Sequence, residues 1–211
     1  MSARRGWLNR YAGSIAAVAI VFMLAACGDR AAKLPKLSNE DVIVAFGDSL
    51  TYGTGAAEHE SYPAVLARLT GRKVVRSGVP GEVTAQALQR LPDVIEEHRP
   101  RLVIVCIGGN DMLRRLSISE AHANVRALIK TLKDRDIAVV LIGVPQPALL
   151  SSPPEFYAEL AREFSIPYES EILKTVLYTA EMKADPIHPN ARGYRRMAEA
   201  VAALLRKAGA I

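Results

Sequence analysis

Cysteine is nearly absent from this chain. Cys27 and Cys106 are the only two in 211 residues, which excludes a disulfide-stapled scaffold. No metal-ligand cluster appears, and no Gly-x-Ser-x-Gly elbow occurs. Gly53-Thr54-Gly55 starts like a dinucleotide fingerprint. However, Glu58 stands where the third glycine belongs, and the second strand ends in Arg76 rather than an acid. No cofactor is therefore expected. Internal repeats and low-complexity segments are lacking. Positive charge is also scarcer than the formal +5 suggests, because Arg4, Arg5 and Arg10 supply three of the basic side chains. Beyond Ala26, 24 basic residues face 22 acidic ones. Without a basic stripe or an aromatic ladder, the chain does not read as a nucleic-acid binder.

Long hydrophobic runs are missing too, with one exception. Tyr11 to Ala26 is almost continuously apolar and follows the arginines. It ends in Leu24-Ala25-Ala26-Cys27, which resembles the bacterial lipobox. That resemblance implies a signal peptide over residues 1–26, cleavage before Cys27, and a lipid on its sulfur. The chain would then face the periplasm on a membrane, with Gly28 favouring the outer one. An uncleaved anchor is the alternative, although the run is short against the roughly 20 residues of a membrane span. With Cys27 lipidated, Cys106 has no disulfide partner; inside Leu102–Ile107 it reads as a buried small hydrophobe. Residues 27–40 are polar, contain Pro35, and are expected to form a tether reaching about 40 Å.

What remains, residues 41–211, has the composition of one globular domain: half the chain is hydrophobic, and 23% is charged with the signs well mixed. Val42–Phe46, Lys73–Val75, Leu102–Ile107 and Ala138–Ile142 read as strands, with a weaker fifth at Ile166–Tyr168. Helices are predicted over Tyr62–Leu69, Thr84–His98, Ser119–Arg135 (Ser119 as N-cap), Pro154–Phe164 and Ala191–Lys207. Strands that are apolar throughout, separated by helices, imply a parallel sheet covered on both faces. The expected fold class is α/β: a three-layer α/β/α sandwich around a five-stranded parallel sheet with flavodoxin-like winding.

In such folds the chemistry gathers at the C-terminal ends of the strands. Strand one runs into Gly47-Asp48-Ser49-Leu50, strand two into Gly78-Val79-Pro80-Gly81-Glu82, and strand three into Gly108-Gly109-Asn110-Asp111. Asp185-Pro186-Ile187-His188-Pro189-Asn190 precedes the last helix. A serine hydroxyl is a poor nucleophile until a base takes its proton. On its own, Ser49 would read as a helix cap. Asp185 and His188 are three positions apart, so the carboxylate can fold back onto one imidazole nitrogen and leave the other for Ser49. His59, His98 and His122 sit in polar contexts and read as solvated.

The four blocks, in this order from Val42 to about Leu205, resemble the SGNH (GDSL) hydrolases, especially the thioesterase I, lysophospholipase L1 and arylesterase-like branch. The resemblance implies a Ser49–His188–Asp185 triad and an oxyanion hole made of the Ser49 N–H, the Gly81 N–H and the Asn110 side chain. It implies hydrolysis of small acyl esters or thioesters through an acyl-enzyme. A cell-wall or glycan O-acetylesterase with the same triad is an alternative, and a non-catalytic envelope lipoprotein binding lipid or glycan is another. Relatives often carry Asn and Ser where this chain has Arg76 and Pro80, which bears on substrate preference. The Pro145–Pro154 loop is expected to border the acyl pocket.

Overall fold

A computed structural model describes residues 32–147 and 151–211. Cys27 and the expected signal segment lie outside the described residues. Five parallel strands form one sheet: β1 (Val42–Gly47), β2 (Lys73–Gly78), β3 (Leu102–Cys106), β4 (Ala138–Ile142) and β5 (Tyr168–Glu169). Their order is β2-β1-β3-β4-β5, the doubly wound flavodoxin order. The expected fold class is the observed one.

The sheet explains which strands were easy to read. β1, β3 and β4 are central, and from Ile43 to Phe46 and Leu102 to Cys106 every residue is fully buried. Each fully buried Val, Leu or Ile contributes roughly 1.5–3 kcal/mol of transfer free energy, so these runs carry no polar residue. β2 is an edge strand and continues past the predicted Val75 through Arg76, Ser77 and Gly78. β5 has only two residues, paired to β4 at Leu141–Tyr168 and Ile142–Glu169.

The helices are α1 (Ser49–Tyr52), α2 (Tyr62–Thr70), α3 (Thr84–His98), α4 (Gly109–Leu113), α5 (Ile118–Lys133), α6 (Phe156–Glu163), α7 (Ile172–Tyr178) and α8 (Ala191–Ala208). α2 packs on α8, and α3 packs on α5. The predicted start of α5 needs correction. Ser117, not Ser119, is the N-cap: its Oγ accepts from the Glu120 N–H at 3.2 Å. Ser119 instead shares a hydrogen bond with the Ser117 hydroxyl at 2.8 Å.

The expected tether over residues 27–40 is docked along its second half. The Leu34 N–H donates to Ala208 O and the Leu37 N–H to Ala210 O, and the Leu37 side chain is buried. Packing of the domain thus begins several residues before β1. Cys106 is buried and free, in line with its reading as a small hydrophobe, and burial pushes its thiol well above the usual range.

Candidate active site

Ser49 is the first residue of α1, immediately after β1. Gly47 makes that turn possible: a Cβ there would lie 2.0 Å from Cys106 O and 2.6 Å from Thr51 Oγ1. Asp48 caps α1, its Oδ1 accepting the Leu50 N–H at 3.0 Å. The Ser49 N–H has no partner among the described residues. Ser49 Oγ lies 3.0 Å from His188 Nε2, and His188 Nδ1 lies 2.7 Å from Asp185 Oδ2.

The loop before α8 holds this pair in place. Asp185 Oδ1 accepts the N–H groups of Ile187 and His188, both at 2.9 Å. The Ala184 N–H donates to His188 O, also at 2.9 Å. Asn190 caps α8 through Gly193 N and ties the loop back by donating to Glu181 O and Lys183 O. Burial pushes the Asp185 carboxyl up, but its bonds to His188 and to the Ile187 N–H outweigh this and hold it below the usual range. A carboxylate at Nδ1 fixes the proton there, which leaves Nε2 as an acceptor for the Ser49 hydroxyl.

Gly81 lies in a turn whose ends are joined by a bond from the Glu82 N–H to Val79 O at 3.1 Å. Its φ of +79° at the third position, after Pro80, is the signature of a type II turn. Pro80, a departure from many relatives, therefore presets this loop. The other departure, Arg76, lies apart from the triad: it donates to Tyr52 O at 2.7 Å, pairs with Glu58 at 3.0 Å and covers the Tyr52 ring. The Gly81 N–H has no partner among the described residues. Asn110, in α4, donates to Glu82 O at 3.0 Å and reaches Asp48 Oδ2 only at 3.5 Å, so its second N–H is weakly committed.

Three supporting groups were not singled out from the sequence. The Arg90 guanidinium grips both Glu82 carboxylate oxygens at 2.7 Å, donates to Ser77 Oγ at 2.8 Å, and lies over the Phe46 ring. It thereby knits the ends of β1 and β2 to the Gly81 turn. Buried Asp111 accepts from the Thr84 N–H and hydroxyl, joining α4 to α3. Asp48 is fully buried; burial, with Glu82 and Asp111 nearby, pushes its carboxyl up to about 7 against the Leu50 hydrogen bond. His122 corrects an expectation: it is half-buried with its ring stacked on Phe156.

Ser49, His188 and Asn110 line a cleft of about 360 Å³, whose walls are mainly apolar and include Leu113, Val144, Leu177 and Ile187. Pro145, Gln146 and Pro147 line it too, as expected for the loop after β4. Gly81 does not; it connects to the cleft through the Glu82 carbonyl that Asn110 holds.

A serine, an imidazole and a carboxylate in line, beside unpaired N–H donors, can carry out acyl transfer. The comparisons with known proteins agree. Residues 45–196 match the GDSL-like Lipase/Acylhydrolase family. The Escherichia coli K12 protein thioesterase 1/protease 1/lysophospholipase L1 is 30% identical over 158 residues, covering 71% of this chain and 76% of that protein. An arylesterase of Vibrio mimicus is 27% identical over 171 residues, 76% of this chain and 86% of its own. Among solved structures, the SGNH-hydrolase family esterase AlinE4 has 35% identity and a TM-score of 0.63, covering 82% of this chain and 98% of that one. TesA, at 23% identity with a TM-score of 0.71 and covering 80% and 99%, shares the fold. A match that takes in the ends of β1 and β3 together with the loop before α8 places this chain in the GDSL-like lipase/acylhydrolase family, as a carboxylic ester hydrolase of the SGNH type.

Proposed function

We propose that Ser49, activated by His188 and Asp185, cleaves short and medium acyl esters or thioesters through an acyl-enzyme. The observation that carries this reading is the Ser49 Oγ–His188 Nε2 contact of 3.0 Å inside a mainly apolar cleft. The Ser49 hydroxyl gives its proton to Nε2 as Oγ attacks the carbonyl carbon. The oxyanion is held by the Ser49 N–H, the Gly81 N–H and Asn110 Nδ2. His188 returns the proton to the departing alkoxide or thiolate. Water then attacks the acyl-enzyme as His188 takes its proton; the acyl–Oγ bond breaks, and His188 returns that proton to Ser49 Oγ as the acid leaves. The names of the relatives from Escherichia coli and Vibrio mimicus support both ester and thioester leaving groups.

The cleft volume sits at the small end of ligand sites, which favours short acyl groups over long ones. Turnover of p-nitrophenyl esters is expected to peak at short or medium chains and to fall for long-chain triglyceride emulsions. An acyl-CoA and an acetylated glycan belong in the same series. A maximum on long-chain triglyceride overturns the chain-length reading, and a maximum on the glycan replaces it with an O-acetylesterase. We also propose that Cys27 is lipidated and anchors the domain to an envelope membrane facing the periplasm. The support is the sequence alone: Arg4, Arg5 and Arg10, the apolar run, and Leu24 to Cys27. Normal maturation of Cys27→Ser, or a wild-type protein without lipid, rules this out.

A further inference from the structure

Among the described residues, the cleft is lined by one lysine or arginine, and the mechanism does not use it. That residue, Lys183, is half-buried, and its ammonium makes no hydrogen bond or ion pair among the described residues. Arg90 and Arg76, also half-buried, are each paired with a carboxylate, Glu82 and Glu58 respectively. With no carboxylate of the described residues paired to it, the Lys183 ammonium is available to an anion that enters the cleft with the substrate.

The position of Lys183 is fixed. Its backbone pairs with Pro189 in an antiparallel bridge, and its carbonyl accepts from Asn190. The same short loop carries His188, so the Lys183 Cα is tied to the reaction centre. Gln146, also lining the cleft, has a side-chain amide with no partner among the described residues. Of the acids beside the reaction centre, Asp185 is bonded to His188 and Asp48 is buried. An apolar cleft with one free ammonium and one free amide complements an ester that is apolar along most of its length and negatively charged at one place.

We propose that Lys183 is a specificity-determining residue that binds an anionic group, carboxylate or phosphate, carried by the ester substrate. This rests on the reading of Ser49 as the nucleophile. The ion's source is either the acyl chain or the leaving group, and two pairs of probes separate them. The first compares p-nitrophenyl butyrate with mono-p-nitrophenyl glutarate, whose acyl chain ends in a carboxylate. The second compares phenyl acetate with para-acetoxybenzoate, whose leaving group carries one.

For each pair the reading is the anionic-to-neutral ratio of kcat/KM in wild type, Lys183→Arg, Lys183→Gln and Lys183→Glu. In one pair the ratio should fall about tenfold in Lys183→Gln, further in Lys183→Glu, and mostly through KM, since a charge-assisted hydrogen bond to bound substrate is lost. Lys183→Arg should keep most of it. The wild-type ratio should also fall as salt is raised. Ratios equal within about twofold across all four proteins, in both pairs, would overturn the proposal. Hydrolysis of p-nitrophenyl butyrate by wild type distinguishes the two failures. Its absence removes the esterase reading itself, whereas its presence with unchanged ratios removes only the role of Lys183.

Discussion

Ser49→Ala and His188→Ala should each abolish all but a trace of ester hydrolysis, with kcat reduced by roughly 10⁴–10⁶. The reason is geometric. Ser49 Oγ has His188 Nε2 as its proton acceptor at 3.0 Å, and among the described residues no second imidazole lines the cleft. Combining the two substitutions should cost little more than either alone, because neither group functions without the other. Asp185→Asn should also be severe but no worse. Asp185 sets the tautomer and steadies the imidazolium without itself taking the proton. All variants should melt near wild type, since Ser49 and His188 line an open cleft and contribute little to the core. The measurements are p-nitrophenyl acetate hydrolysis, thermal melting, and intact-mass detection of an organophosphate adduct on Ser49. Substantial activity in folded Ser49→Ala, or an adduct on another serine, would falsify the mechanism and revive a binding role for the domain.

Much of this site was readable because its parts are local. Asp185 and His188 are three residues apart and close their hydrogen bond within one loop. Ser49, Gly81 and Asn110 each follow a strand or its adjoining loop, and a parallel sheet gathers such ends at one edge. The boundaries of α3 and β4 were also legible, because their apolar spacing matches the face they bury. What escaped is what tertiary contact creates. Arg90 and Glu82 lie on either side of the start of α3, and only the fold shows that their ion pair braces the Gly81 turn. Asp48 stands in the sequence only as the neighbour of Ser49; its burial near Glu82 and Asp111 depends on three strand ends converging. α7 did leave a signal, since Ile172, Leu173 and Val176 share one buried face, but the helix is short and follows a strand of two residues. Lys183 gave none: a lysine in a polar loop reads as solvated until the cleft is seen to pass beside it.

Asn110→Ala should lower kcat by roughly 10²–10³ while changing KM much less. The Asn110 amide has two hydrogens. One donates to Glu82 O at 3.0 Å, and that carbonyl belongs to the residue Arg90 clamps, so the amide's direction is set before substrate arrives. The other meets only Asp48 Oδ2 at 3.5 Å, a weak contact that a developing oxyanion can replace at little cost. A donor held in this way gains most as negative charge grows on the substrate oxygen, so its removal appears in kcat. Asn110→Asp should be at least as damaging, because a carboxylate would face the oxyanion instead of an N–H. A purely structural role predicts a different pattern: Glu82 O would lose its donor, the melting temperature would drop, and whatever protein stayed folded would turn over normally. Saturation kinetics on p-nitrophenyl butyrate, measured beside the melting curve, separate the two. Near-normal kcat in folded Asn110→Ala would confine Asn110 to holding the Glu82 turn and leave the oxyanion to the backbone N–H groups of Ser49 and Gly81.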